Sequence, residues 1–142
     1  MEIELYWDDG AGTTMVAVLP EHWTWAEANR ALMVVNTLAN DPQATMQAAI
    51  VDVRVGVNLP DPIWSPTTLK QARQIAAMAP QGTGPVVVVG VNPLVRSSFE
   101  VFRSLYPRAT ANVHVTTTMP KARQIIARQI AAGQVPARRE SA

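Results

Sequence analysis

Ala49-Ile-Val-Asp-Val53 and Val86-Val-Val-Val-Gly-Val91 decide the fold. Both are short, β-branched and almost wholly apolar, and a segment with helical periodicity follows each. Such runs are too apolar for a half-solvated sheet and suit central parallel strands covered by helices. The expected architecture is therefore an α/β domain.

The flanking sequence completes the pattern. Residues 2–7 and 13–19 read as two strands around Asp8-Asp-Gly-Ala-Gly12, a hairpin signal that opens the chain with an antiparallel pair. Thr24 and Glu27 fit a capping box, and Ala28, Ala31, Leu32, Val35 and Leu38 then recur on one face of a helix over about 25–39. Asn40-Asp-Pro42 ends it, because the residue before proline avoids the helical region. Ser65-Pro66 starts a second helix, an N-cap hydroxyl followed by proline at the first helical position, with Leu69, Ala72, Ile75, Ala76 and Ala79 as its buried stripe. A third helix from Pro93 should bury Val95, Phe99, Phe102 and Leu105. A last strand at 112–115 leads to a fourth helix near 120–132, with Ala122, Ile125, Ile126 and Ile130 inward and Lys121, Arg123 and Arg128 in solvent. The expectation is a leading β-hairpin followed by strand-helix units, a mixed sheet of about five strands with four helices. Residues 1–132 form one domain in this reading, and the polar, basic stretch 133–142 is a disordered tail.

Composition narrows the function classes. A chain of 142 residues with a formal net charge of +1 generates no strong field for nucleic acid or an anionic membrane. It contains no cysteine, which excludes disulfides, thiol nucleophiles and thiolate zinc sites and fits a reducing cytoplasm. Neither a secretory leader nor a run of roughly 18 apolar residues is present, so a soluble protein without a membrane span is expected.

Beginning at the second strand, four successive strand-helix units follow an extra leading strand. Within that order stand Ile50-Val-Asp-Val53, then Gly90-Val-Asn-Pro-Leu-Val-Arg96 with Phe99, then Val113-His-Val115 with Ala122. Over roughly residues 13–132 the chain thereby resembles the STAS domains, the family of bacterial anti-sigma-factor antagonists and the cytoplasmic tails of sulfate transporters. The resemblance implies a non-enzymatic regulatory module that works by protein contact. In many members a partner kinase phosphorylates a serine or threonine at the start of the second helix, and Ser65 takes that place. The chain departs from the family pattern there: the usual acidic residue, paired serines and glycine are replaced by Pro62-Ile-Trp-Ser-Pro-Thr-Thr68. A member without the phospho-switch is thus left open.

Asp8, Asp9 and Asp52 have the look of a phospho-receiver's acidic set, but receivers place two helices between those positions and only one fits here. The acidic pair then reads as the polar tip of a turn. Asp52 lies in an apolar strand, so its carboxylate must be paired, with Arg54 on the same side of the strand or with a helix terminus, or face the crevice at the strands' carboxyl ends where ligands bind in open α/β sheets. His22 and His114 sit in different elements and make no triad or metal set, and Gly82-Thr-Gly84 with Gly90 is no phosphate loop because the glycines precede a strand and no lysine follows. No catalytic residue, metal or cofactor is implied. Trp7 and Trp23 are expected to pack against the sheet or to cap one end of the core. Leu59, Ile63 and Trp64 put unusual apolar surface on a loop beside Ser65, a docking patch for a partner or a second copy of the chain. The alternative function is a binder of a small apolar or lipid-like ligand, in a cavity between sheet and helices lined by Met15, Met33, Met78 and the phenylalanines.

Overall fold

The computed structural model describes residues 3–10, 12–41, 43, 45–55, 60–61, 65–78, 84–90, 93–108 and 110–132, without the side chains of residues 72, 75–78, 94, 95 and 98. In chain order the elements are β1 (Glu4–Trp7), β2 (Thr14–Val18), α1 (Trp25–Asn40), β3 (Ala48–Asp52), α2 (Pro66–Met78), β4 (Val86–Val89), α3 (Pro93–Leu105), β5 (Val113–Thr116) and α4 (Met119–Ala131). The strands form one five-stranded sheet in the order β1-β2-β3-β4-β5. β1 runs antiparallel to β2, and every later neighbour is parallel. The protein is an α/β structure with a mixed sheet and four described helices.

The apolar runs hold the centre for the reason their composition implies. β4 is four consecutive valines, and Val87 and Val89 are fully buried between β3 and β5. Register aligns Val16, Ile50 and Val87 in a single row continued by Tyr6 on β1 and His114 on β5. Because strand side chains alternate, this row points to one face and its neighbours to the other. Val16, Ala48, Ile50, Val87 and Val89 meet Met119, Ala122 and Ile126 of α4. Met15, adjacent to Val16, instead joins Ala39 and Met46, with Leu5, Val35 and Leu38 packed around them, so α1 covers the opposite face. α2 lies beside α1, tied by Asn29 Nδ2 donating to Gln71 Oε1 at 3.0 Å. No helix among the described residues is long and apolar enough to cross a membrane.

Local signals set the helix starts. Thr24 caps α1: its hydroxyl accepts from Glu27 N–H at 3.2 Å while Glu27 accepts from Thr24 N–H at 3.1 Å. Thr118 caps α4 by accepting from Lys121 N–H at 3.3 Å, with proline in the first turn. The stripe of α4 is as its sequence spacing predicts, with Ala122 and Ile126 buried and Ile125 and Ile130 packed against them. Two stripe positions elsewhere are corrected. Leu69 is exposed and Thr68 is buried in its place, because the capping geometry at Ser65 turns Thr68 inward and carries Leu69 about 100° around the axis. Leu105 is exposed as well, since Phe102 packs on Tyr106 with centroids 4.9 Å apart and Leu105 lies about 120° around the axis from Phe99. Val95, Ala72, Ile75 and Ala76 fall outside the described side chains, and Ala79 and the tail 133–142 fall outside the described residues.

Gly90, at the end of β4, has φ +97° and lies against the backbone of Arg54; a Cβ there would stand 2.8 Å from Arg54 Cα and 2.9 Å from Arg54 N. Both the backbone region and the contact exclude a side chain. Gly90→Ala is expected to destabilise the protein by about 3 kcal/mol, read as a lowered urea midpoint with an unchanged m-value. A neutral outcome would show that the β3–α2 connection yields.

Candidate functional site

The carboxyl end of β3 carries the one charged residue on the buried central strands. Asp52 is 5% exposed, and its position in the row of Val18 and Val89 directs it to the face that α4 covers. A carboxylate so placed must be compensated. Arg54 folds back over it: Nε donates to Oδ1 at 2.9 Å, Nη2 to Oδ2 at 2.7 Å, and the Arg54 backbone N–H to Oδ1 at 3.0 Å. These guanidinium hydrogen bonds, ahead of an opposing contribution from burial, hold the Asp52 carboxyl below the usual carboxylate range.

A second fork of the same form lies on the same side of the sheet. Asp8, just past β1, accepts from Arg123 of α4 at both oxygens, Nε to Oδ2 and Nη2 to Oδ1, each at 2.9 Å. Arg123 is exposed on α4, as its place on the helix predicts, and Asp8 holds its guanidinium in one orientation. Asp8 is more than a turn residue. Asp9 alone fills that role, accepting from the Thr13 hydroxyl, from Thr13 N–H at 2.9 Å and from Thr14 N–H at 3.3 Å. The Thr13 hydroxyl bond is the main reason its carboxyl is held low.

Between the two forks stands Tyr6. It pairs with Val16, two residue pairs from the row of Asp52 and two residues from Asp8, so its Cα lies roughly 7 Å along the strand from each level. Its phenol is within electrostatic reach of both guanidiniums, and these are within reach of each other. Tyr6 is 39% exposed, and the Arg54 and Arg123 side chains are 52% and 53% exposed above partners that are nearly buried. In both forks the Nε/Nη2 edge meets the carboxylate, which leaves Nη1 turned away from it. The result is a shelf on the sheet face beside α4, made of one phenol flanked by two oriented guanidiniums. Side chains fixed in this way lose little rotamer freedom when something docks on them, and tyrosine and arginine are the types enriched at the energetic centres of interfaces.

The start of α2 is built for capping. Ser65 Oγ accepts from Thr68 N–H at 3.1 Å and donates to Thr68 Oγ1 at 3.0 Å; Thr68 in turn donates to the Asp61 carbonyl at 3.4 Å. Asp61 also accepts from Trp25 Nε1 at 2.7 Å, joining this connection to the first turn of α1, where Trp25 meets Trp23 edge-on at 5.2 Å. Ser65 is half-buried there. Leu59, Ile63 and Trp64 lie outside the described residues. Trp23 is buried, whereas Trp7 is 40% exposed and leans over the hairpin glycine Gly12 instead of packing into the core.

His22 is exposed ahead of α1, and His114 is half-buried in β5, where burial and then the charge of Arg103 keep its imidazole below the ordinary histidine range. Among the described residues no group of three or more His, Asp and Glu gathers as metal ligands would. Sequence reasoning missed Tyr6 and the Asp8–Arg123 fork. Their partners are 115 positions apart, and no local spacing signals such a pair. Comparison with protein-family models finds no match, and comparison with curated proteins finds none either.

Because Asp52 titrates lower in the folded than in the unfolded chain, its contribution to stability is present above about pH 4 and is lost as pH falls through the depressed folded value. Asp52→Asn is expected to cost about 1–3 kcal/mol at pH 7, with the gap to the wild type closing in acid. Urea melts from pH 7 to pH 3 check this; a gap constant across that range would show that the carboxylate's charge is immaterial. At the α2 start, Ser65→Ala should cost about 1 kcal/mol and Ser65→Asp much less, since aspartate also caps. Equal losses in the two variants would assign Ser65 a role other than capping.

Proposed function

We propose that the chain is a non-enzymatic regulatory or protein-interaction module of the STAS type, acting through the shelf of Tyr6, Arg54 and Arg123. The observation that carries this reading is the pair of half-exposed guanidiniums, each locked by a nearly buried carboxylate, on either side of one phenol. A surface lysine or arginine on its own is solvated and mobile; two held rigid at the cost of burying two aspartates is an arrangement suited to recognition. The observed element order, a leading strand and then four strand-helix units, supports the family resemblance. Ser65 stands at the start of α2, the family's phosphoacceptor position, with its hydroxyl committed to the cap. In this reading it is an N-cap, and the module works without the phospho-switch. The cytoplasm is the compartment the reading implies.

The second reading is a binder of small apolar ligands, and one observation bears on it. An open groove of about 180 Å3 runs between β1 and α1, lined by Ile3, Leu5, Ala31 and Val34 with Glu27 and Arg30 at its rim. Ligand pockets commonly enclose about 300–1,000 Å3. Met15 is core and Met33 is exposed, so neither lines the groove, and Met78 lies outside the described side chains. The interaction reading therefore takes precedence.

Native mass spectrometry of wild type and Arg123→Glu, each purified from the protein's own cells, separates the two. A stoichiometric protein partner present in the wild type and lost in an Arg123→Glu variant that still melts cooperatively is the expected result, the variant being less stable because Asp8 loses its partner. A small molecule retained equally by both variants would overturn the interaction reading.

A further inference from the structure

Resting on the reading of this face as an interaction surface, we infer that β1 pairs with β1 of a second copy, continuing the sheet across a two-fold axis at Leu5. Among the described residues β1 is an edge strand, bonded only to β2. Asp8 N–H donates to the Thr14 carbonyl at 2.8 Å, which fixes Asp8–Thr14 as a hydrogen-bonded pair; by alternation Tyr6–Val16 and Glu4–Val18 are of the same kind. The parallel side agrees, since the Thr13 carbonyl and Leu19 N–H face β3. The N–H and C=O groups of Ile3, Leu5 and Trp7 consequently point outward, toward the free edge. β1 carries no lysine, proline or bulge in Glu4-Leu-Tyr-Trp7, and its one charge, Glu4, faces the shelf side of the sheet.

This edge is complementary to itself. With the two-fold at Leu5, antiparallel pairing sets Leu5 against Leu5, Ile3 against Trp7 and Trp7 against Ile3, all of them outward-facing residues, so each free donor meets a free acceptor. On the α1 face this register lays Ile3 and Leu5 of each copy beside the aliphatic groove of the other, covering Val34, which is 47% exposed. On the α4 face Glu4 falls opposite Tyr6 of the second copy. The Glu4 carboxylate, exposed in the single chain, then arrives beside a phenol flanked by Arg54 and Arg123. The two-fold makes that contact twice, anion to oriented cations in each direction. Charge complementarity and backbone complementarity thus select the same occupant and the same register.

Sedimentation velocity on the full chain, Glu4→Lys and Leu5→Cys tests this. The wild type is expected to be a dimer well below concentrations on the order of 100 µM, and Glu4→Lys to weaken it by at least about tenfold with an unchanged melting temperature. The native chain has no cysteine, so Leu5→Cys introduces a single thiol. At a hydrogen-bonded antiparallel pair its Cα would lie about 5.5 Å from its symmetry mate, within the roughly 4.4–6.8 Å that a disulfide spans, and mild oxidation should yield a covalent dimer. A wild type that stays monomeric at that concentration overturns the inference, while co-purification of a different protein through Arg123 would keep the interaction reading. A dimer indifferent to Glu4→Lys, whose Leu5→Cys form resists cross-linking, also overturns it, because another face would then be pairing.

Discussion

A carboxylate at the end of a buried apolar strand is the constraint around which this structure is arranged. Asp52 sits in register with Val18 and Val89, and an uncompensated charge there would cost several kcal/mol. Arg54, two residues on and therefore on the same side of the chain, supplies the compensation through its guanidinium. Its backbone lies against the end of β4, where only a residue without Cβ and with positive φ fits. The residue that pairs the buried charge is thus also the one that sets the identity of Gly90.

The Asp8–Arg123 fork does at long range what Asp52–Arg54 does locally. α4 already packs on the sheet through Ala122 and Ile126, and hydrophobic packing alone tolerates sliding along the helix axis. A bidentate contact to the loop after β1 fixes the axial position and ties the last helix to the first strand. The face that results is apolar beneath α4 and polar beyond it, where β1 leaves Tyr6 uncovered. Function in this reading falls on the uncovered part.

The relation between edge and shelf follows from strand geometry. A strand at the rim of a sheet has unpaired backbone groups on its outer side and alternating side chains on its two faces. In β1 the outward backbone belongs to Ile3, Leu5 and Trp7, whose side chains face α1, while Glu4 and Tyr6 face the shelf. A strand added at this edge would necessarily engage both faces at once. In the dimer we infer, the groove beside α1 and the guanidiniums beside α4 would be engaged together.

Much of this was legible in the amino-acid order. The valine run of β4, the Thr24–Glu27 box, the Ser65-Pro66 start and the spacing of Ala122, Ile125, Ile126 and Ile130 each report a local rule, because period, capping and turn chemistry act over four residues or fewer. The need to pair Asp52, and Arg54 as the nearest partner, could be read in the same way. Where two local rules competed, the reading slipped by part of a turn: apolarity nominated Leu69 and Leu105, but cap geometry at Ser65 and the Phe102–Tyr106 stack set the helix phases. Contacts that join distant parts of the chain had no sequence signal at all. Arg123 resembles any solvated helix arginine until the fold brings Asp8 to it, and Tyr6 resembles any strand tyrosine until two guanidiniums flank it. The sequence by itself determined which segments are strands and helices; the tertiary structure decided the phase of α2 and α3 and which charges meet, because pairing across 115 residues depends on strand order and helix placement, which are properties of the whole chain.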